Sequence, residues 1–277
     1  MRYLLPIILL FPMFAYAQDN NTVQITLGAF WSSSDSGLNF TGPARNSYNV
    51  DFESDLNLSE REVLPSVEIR YKFYDRHNFY LSWRELHRQS TYTYVSKPFE
   101  FSFDDELHTI QGGARVTTTF NVDIARLGYG YSFYQNNNWD VIGSFGVHLM
   151  FFELGLSGDV ALCLDKECDP DTYLSSSGST FESVTAPLPD FGLTTVYNIN
   201  DNWSIRAQAQ YFYLSIGEYS GELIDFSIAA DYKITDSFSA VLSYEYYEIN
   251  ASVEDTLGEL DIYYGFHGPM FAIAYSF

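Results

Sequence analysis

Positive charge is what this sequence has least of. Its 277 residues include 14 Lys plus Arg against 36 Asp plus Glu, a formal net charge of −22. A nucleic-acid surface needs clustered Lys and Arg to displace counterions from phosphates, so nucleic acid is excluded as a partner. Cysteine is nearly absent, with two residues. After the first residues there is also no apolar run of the ~20 residues that a membrane helix requires. The nearest candidate, residues 142–156, is interrupted by Ser144, His148, Glu153 and three glycines. What is plentiful is aromatic side chain: 23 Tyr and 23 Phe within an aromatic share of 18%. That much apolar surface argues against disorder.

The first 17 residues read as a cleaved signal peptide. Met1-Arg2 supplies the positive start, residues 3–14 the apolar run, and Ala15-Tyr16-Ala17 a small-x-small cleavage site. Twelve apolar residues are too few to span a hydrocarbon core. Residue 18 is Gln, not the Cys of a lipid anchor, and residues 18–277 form a single exported domain. Such a domain is either soluble or crosses a membrane without helices. Lipid offers the backbone no hydrogen-bond partner, so the second case requires a closed β-barrel.

Residues 18–277 alternate with period two, as strands with unlike faces do. Val67-Glu68-Ile69-Arg70-Tyr71-Lys72-Phe73 and Trp203-Ser204-Ile205-Arg206-Ala207-Gln208-Ala209-Gln210-Tyr211 are examples. Four short polar links, Asp75–Asn78, Gln135–Asn138, Asn198–Asn202 and Lys233–Ser237, each sit between aromatic-ended segments. Asn and Asp suit tight turns. Tyr and Trp suit a lipid–water boundary, with one apolar end and one that hydrogen-bonds. The intervening connections Ser33–Glu62, Thr91–Ala114 and Asp159–Pro187 are long and polar, while Gly217–Gly221 and Asn250–Gly258 are shorter. Short turns on one side and long loops on the other are the pattern of membrane barrels. Four turns and two terminal strands give ten strands, with both termini on the turn side.

The chain ends Met270-Phe271-Ala272-Ile273-Ala274-Tyr275-Ser276-Phe277. Phe271, Ile273, Tyr275 and Phe277 alternate, with Tyr third from the end and Phe last. This resembles the terminal insertion signal of Gram-negative outer-membrane β-barrel proteins. The resemblance covers the mature chain in pattern and these eight residues in motif. It implies an all-β fold, a closed antiparallel transmembrane β-barrel of ten strands (eight or twelve as alternatives), in the outer membrane. It also implies outer-membrane lipids, lipopolysaccharide and the barrel assembly machinery as partners, with no cofactor. Pro269 interrupts the last strand and is expected to mark a bulge eased by Gly268. Phe99–Phe103 also alternates. It reads as a strand extension above the bilayer, with an added hairpin and twelve strands as the alternative.

If the apolar parity faces lipid, the other parity faces the lumen. It carries Glu68, Arg70, Lys72, Arg84, Arg126, His148, Arg206, Gln208, Gln210, Asp231 and Glu245. Ten strands enclose a narrow lumen, and buried charges need partners. The expected interior is therefore a largely filled polar network, with a narrow path for small hydrophilic solutes as the rival reading. The role this implies is porin-like or envelope-structural.

Cys163 and Cys168 lie in a polar loop of an exported chain, where a disulfide is the default. Free thiols or a metal pair are the alternatives. Around them Asp165, Glu167, Asp169 and Asp171 alternate, a density of oxygen ligands that can hold Ca²⁺. The sixth position, Pro170, departs from the Gly of an EF-hand loop, and a solvated acidic loop is the plainer reading. Such a loop would make the chain a surface-binding module. Catalysis is the least supported class. Omptin proteases resemble the chain in strand number, but their paired Asp and Asp-x-His motif is missing. Asp104-Asp105 with His108 is the nearest approach. No Gly-x-Ser-x-Gly, His-Glu-x-x-His or phosphate-binding loop occurs. A Ser–His pair hydrolysing lipid on the outer wall remains as the enzyme alternative.

Overall fold

Period-two alternation over long stretches, broken by Asn- and Asp-rich links, leaves the backbone one way to pair all its groups: neighbouring strands. The computed structural model describes residues 21–42, 47–90, 93–94, 99–103, 106–110, 115–162, 174–255 and 258–277. Ten strands make the wall: β1 (Thr22–Thr41), β3 (Arg61–Phe73), β4 (His77–Gln89), β8 (Arg115–Gln135), β9 (Trp139–Leu162), β10 (Leu174–Asn198), β11 (Trp203–Ile216), β12 (Tyr219–Lys233), β13 (Phe238–Asp255) and β14 (Gly258–Ser276). Each is antiparallel to the next, and β14 returns to β1 from Gln24↔Ser276 to Thr41↔Glu259. The sheet is therefore a closed ten-stranded barrel. Val23 and Phe277 exchange backbone hydrogen bonds of 2.9 and 3.0 Å, which ties the last residue to the start of β1 at the rim.

The tight turns fall at residues 74–76, 136–138, 199–202 and 234–237, all at the end that holds the termini. Side-chain oxygens of Asn136 and Asn200 each accept from two backbone N–H groups, at 2.9–3.0 Å. Tyr74 and Asp75 have φ of 48° and 60°, the left-handed pair that a tight hairpin turn demands. The opposite end differs from a set of irregular loops. Strand β1 runs on to Thr41, and β9 and β10 stay paired up to Leu162↔Leu174. Much of what reads as polar loop in the sequence is strand standing above the band described below. The remaining strands are short: β2 (Ser47–Asp51), β5 (Thr93–Tyr94), β6 (Phe99–Phe103) and β7 (Glu106–Ile110).

Two expectations need correction. Phe99–Phe103 is not an extension of a wall strand; it forms a separate hairpin with β7, which meets β9 at His108↔Leu162. The wall count stays at ten. At Pro269 there is no bulge. Register is continuous against β13 (Tyr244↔Pro269, Glu245↔Gly268), and the β1 ladder resumes in the same register at Ser33↔His267. The missing N–H leaves a gap in pairing without an extra residue. Gly268 is required there because a Cβ would lie 2.0 Å from the Trp31 carbonyl oxygen. The register shift that does occur lies between Ser132 and Tyr134.

Outward side chains near the turn end are apolar and uncovered: Leu27, Leu81, Leu127, Phe145, Leu193, Ile228, Leu242 and Ile273 are all exposed. Below them runs a ring of aromatic pairs joining adjacent strands, Trp139–Tyr197, Trp203–Tyr232 and Phe238–Tyr275, at centroid separations of 4.6, 4.7 and 4.8 Å. Trp31, Trp83 and Tyr244 mark the upper limit of the band. Along β13, Phe238 to Tyr246 is eight residues, ~26 Å along the strand and ~18–21 Å in height at a tilt of ~35–45°, most of the ~25 Å apolar band of a membrane barrel.

Candidate functional site

The interior has two storeys of opposite chemistry. Inside the apolar band, the lumen-facing parity is polar. Near the turn end, the Arg70 guanidinium donates to the Glu68 carboxylate at 3.0 Å. Arg206 lies 3.9 Å from Glu68 and 3.5 Å from Asp231, and Lys72 pairs with Asp140 at 3.3 Å. Tyr80 lies between two guanidiniums, with Arg70 and Arg126 at 5.4 and 5.5 Å from its ring centroid. A cation over an aromatic face is attracted by the ring quadrupole. Gly130 makes room for that ring, since a Cβ there would come within 3.0 Å of it.

One level up, Arg84 pairs with Glu245 at 2.6 Å, and Ser243 donates to the same carboxylate at 3.3 Å. His148 reaches Tyr247 Oη through Nδ1 at 3.2 Å and Asp190 through Nε2 at 3.5 Å. Gln210 donates to Asp190 at 2.6 Å, and Gln208 to Gln210 at 3.3 Å. Asp190 is pressed against β9: a Cβ on Gly146 would stand 2.7 Å from its Oδ2. All eleven lumen residues named from sequence thus lie in this storey. Asp140, Asp190, Asp225, Tyr80 and Tyr247 join them. Their parity was readable, since Asp190 alternates with Leu188 and Gly192, but single acids flanked by Leu, Pro and Phe resemble core strand.

Free space is small. A cavity of about 50 Å³ lies among Arg84, Arg126, His148, Asp225, Glu245 and Tyr247, room for about one or two water molecules. A wider recess of about 260 Å³ opens at the turn end, between Arg70, Arg206, Asp231 and Lys233. The Glu68–Arg70–Arg206 contacts stand between the two.

Above the band the parities exchange roles. Outward residues become polar (Ser33, Asp35, Glu85, His87, Asp123, Glu248), and inward ones pack as an apolar core: Phe30, Leu38, Phe40, Leu86, Phe120, Val122, Met150, Ile249, Tyr264 and Phe266. Strand β2 and the segment after it cap this core, with Val50, Phe52, Leu56 and Leu58 all buried. Glu53 anchors the cap. Its carboxylate accepts from Ser36 N–H at 2.9 Å, from Ser36 Oγ at 2.8 Å and from the Arg88 guanidinium. Arg88 is 2% exposed, donates to Ser36 Oγ at 2.7 Å, and lies 5.4 Å above the Phe120 ring. On the acidic rim, burial together with Asp51 and Asp35 pushes the Tyr263 phenol up to about 12.

Cys163, Cys168, Asp165, Glu167, Asp169 and Asp171 lie outside the described residues, as do residues 1–17 and Asp104-Asp105. Among the described residues no group of three His, Cys, Asp or Glu is placed to hold a metal ion. Phe271, Ile273, Tyr275 and Phe277 all point outward, Tyr275 in the lower aromatic ring.

No protein-family model and no curated protein matches the sequence. Among solved structures, the chain is similar to the outer membrane protease OmpT of Escherichia coli, at 9% identity and a TM-score of 0.57, over 96% of this chain and 99% of that one. It also matches Ail, the attachment invasion locus protein of Yersinia pestis, at 12% identity, a TM-score of 0.35 and 93% and 99% coverage. A FadL homologue of Pseudomonas aeruginosa matches at 10% identity, a TM-score of 0.35 and 93% and 90% coverage. The likeness to OmpT is one of fold: a closed, ten-stranded outer-membrane-type β-barrel.

Proposed function

We propose that this chain is a sealed barrel of the Gram-negative outer membrane, exported by its signal peptide, with an envelope-structural role in place of an open pore. The carrying observation is the filled interior. The polar storey leaves a cavity of about 50 Å³, and the storey above it is an apolar core capped by Phe52–Leu58. Ions crossing that core would shed their hydration at a cost of many kcal/mol. Lipids on the outer band and lipopolysaccharide around the acidic rim are the partners this reading gives it. The Tyr275-Ser276-Phe277 ending, outward at the lower rim, is what the assembly machinery would read. No catalytic residue is assigned: the likeness to a protease extends over the fold, and the omptin motif is not in this sequence.

Single-channel recording in planar bilayers tests the proposal. The full chain is expected to give no discrete conductance steps. Steps of uniform size that persist across preparations overturn the sealed reading and restore the porin-like one.

A further inference from the structure

The barrel wall divides on one side. Strands β10 and β11 pair from Asn198↔Ser204 up to Phe191↔Tyr211 and no further among the described residues. Both continue: β10 stays paired with β9 to Leu174↔Leu162, and β11 with β12 to Ile216↔Tyr219. Above Phe191 and Tyr211 the strands therefore present edges to each other without a ladder between them.

The aromatic ring below sets the height of this fork. Phe191 is six residues above Tyr197, and Tyr211 eight above Trp203, ~20 and ~26 Å along tilted strands. That is the outer half of the apolar band and its boundary. Unpaired backbone at such a depth costs several kcal/mol per group unless something else satisfies it. Two edge positions of β10 are Pro187 and Pro189, both outward-facing, which removes two donors from the open edge. Outside, the fork is flanked by Phe191, Tyr211 and Tyr213, at 54–68% exposure. Inside, Leu188 lies across it toward β12, where a Cβ on Gly221 would stand 3.4 Å from its Cδ2.

Immediately below Leu188 is a deeply buried polar pair. Asp190 is 1% exposed and His148 2% exposed; Asp190 Oδ2 and His148 Nε2 face each other at 3.5 Å, and neither has a closer hydrogen-bond partner. His148 also lines the central cavity. A carboxylate and an imidazole held only as a long pair therefore lie just inside a break in the wall at lipid depth.

We propose that the β10–β11 fork is a lateral port for an amphiphile of the outer leaflet. Its polar head passes Leu188 to reach Asp190 and His148, and its tail stays outside against Phe191, Tyr211 and Tyr213. The head is a hydrogen-bond donor, an ammonium or hydroxyl group, because a carboxylate and an imidazole nitrogen face it. A cavity of about 50 Å³ excludes a sugar-sized head. Entry is sideways and needs no path along the barrel axis, so the proposal stands or falls apart from the sealed-lumen reading.

The test uses the full chain in phosphatidylcholine nanodiscs and a tail-nitroxide analogue of dodecylamine, followed by electron paramagnetic resonance. Expected is a saturable immobilised component that empty discs lack. Unlabelled dodecylamine should displace it at least tenfold better than dodecanoate, whose head accepts where the amine donates. Asp190→Asn should weaken it tenfold or more, and Leu188→Trp, which fills the fork, should abolish it. Should a variant lose its β-spectrum, Gly221→Leu fills the same fork from β12 and replaces it. The proposal is overturned by absence of the component, by equal displacement with dodecanoate, or by an unchanged component when the fork is filled. Fixation of the fork by an extended peptide strand or by water alone would give one of these outcomes.

Discussion

Arg88 offers the sharpest test of how the upper storey is held. Its side chain is fully buried among Phe120, Ser36 and Glu53, and its guanidinium makes charge-assisted hydrogen bonds to Glu53 and Ser36. Arg88→Met keeps much of the apolar stem and removes the charge. Glu53 is then left with two Ser36 donors in a mostly apolar shell. Breaking one side of a buried pair costs about 3–5 kcal/mol, roughly two to three and a half powers of ten in the folding constant at 1.4 kcal/mol per tenfold. Arg88→Met with Glu53→Gln removes both charges and keeps an amide oxygen for Ser36. It should recover most of the loss, because much of the penalty is the orphaned carboxylate and not the missing attraction. The assay is reversible urea unfolding in lipid vesicles, read by Trp31, Trp83, Trp139 and Trp203, all of which sit in the wall. A single variant costing less than about 1 kcal/mol, the value of an exposed pair, would refute the burial argument. A double variant as unstable as the single one would refute the orphaned-charge account.

Gly146→Ala should destabilise by about 1–3 kcal/mol through overpacking in the same unfolding assay, because its Cβ would meet Asp190 Oδ2 and the Leu127 carbonyl oxygen at 2.7 Å. Trp203→Ala should cost more than the burial of the ring alone, by the ~0.5–1.5 kcal/mol of an aromatic pair; a double-mutant cycle with Tyr232→Ala measures that coupling. Phe277→Ala should lower assembly in cells while leaving refolding into vesicles nearly unchanged, as comparison of membrane fractions with refolded material will show. At the 234–237 turn, the hydrogen bond and charge of Lys233 hold the Asp236 carboxyl below its ordinary value. The linked stability is present above that ordinary value and is lost as pH falls through the lowered one. Lys233→Met should move the Asp236 titration upward by NMR with no measurable change in unfolding, since the group is fully exposed.

The wall was legible in the sequence because period-two alternation and Asn-rich links are local signals. Strand number, turn positions and the side on which the termini meet all follow from them. The interior was legible only in part. Glu68, Arg70 and Arg206 announce themselves as charges at alternate positions, but Asp140, which pairs with Lys72, and Asp190, which meets Gln210 and His148, stand singly among apolar neighbours. Partner choice across a barrel depends on shear, which no single segment encodes. The cap formed by Val50–Leu58 was hidden among polar residues: Asp51, Glu53, Ser54 and Asp55 make the segment look solvated, although Val50, Phe52, Leu56 and Leu58 are buried. Its anchor, Arg88, stands 35 residues from Glu53, a pairing that local pattern does not show.

One rule accounts for both storeys. Along β4 the inward series is Asn78, Tyr80, Ser82, Arg84, then Leu86, and the outward series is Phe79, Leu81, Trp83, then Glu85, His87. The parity never slips; what changes is which parity is apolar, and it changes at Arg84-Glu85. Along β13 the exchange falls between Glu245 and Tyr247 inside and between Tyr246 and Glu248 outside, the height at which Trp31 and Tyr244 close the band. Lipid forces the outer face to be apolar, so below this height the inner face holds the polar residues and seals by ion pairing. Water forces the opposite above it, so the inner face becomes a core and seals by packing. A barrel tall enough to cross that boundary is closed twice, by two mechanisms with different solvent dependence. Salt and pH should loosen the lower seal first, and loss of the Glu53–Arg88 anchor should loosen only the upper one. The joint disruption, Arg88→Met together with Glu245→Gln, is therefore expected to be the minimal change that admits ions, while either alone leaves planar-bilayer recordings silent. Conductance from the Arg88 variant by itself would mean that the polar storey is no barrier, and that the ion pairs of the lumen line a path.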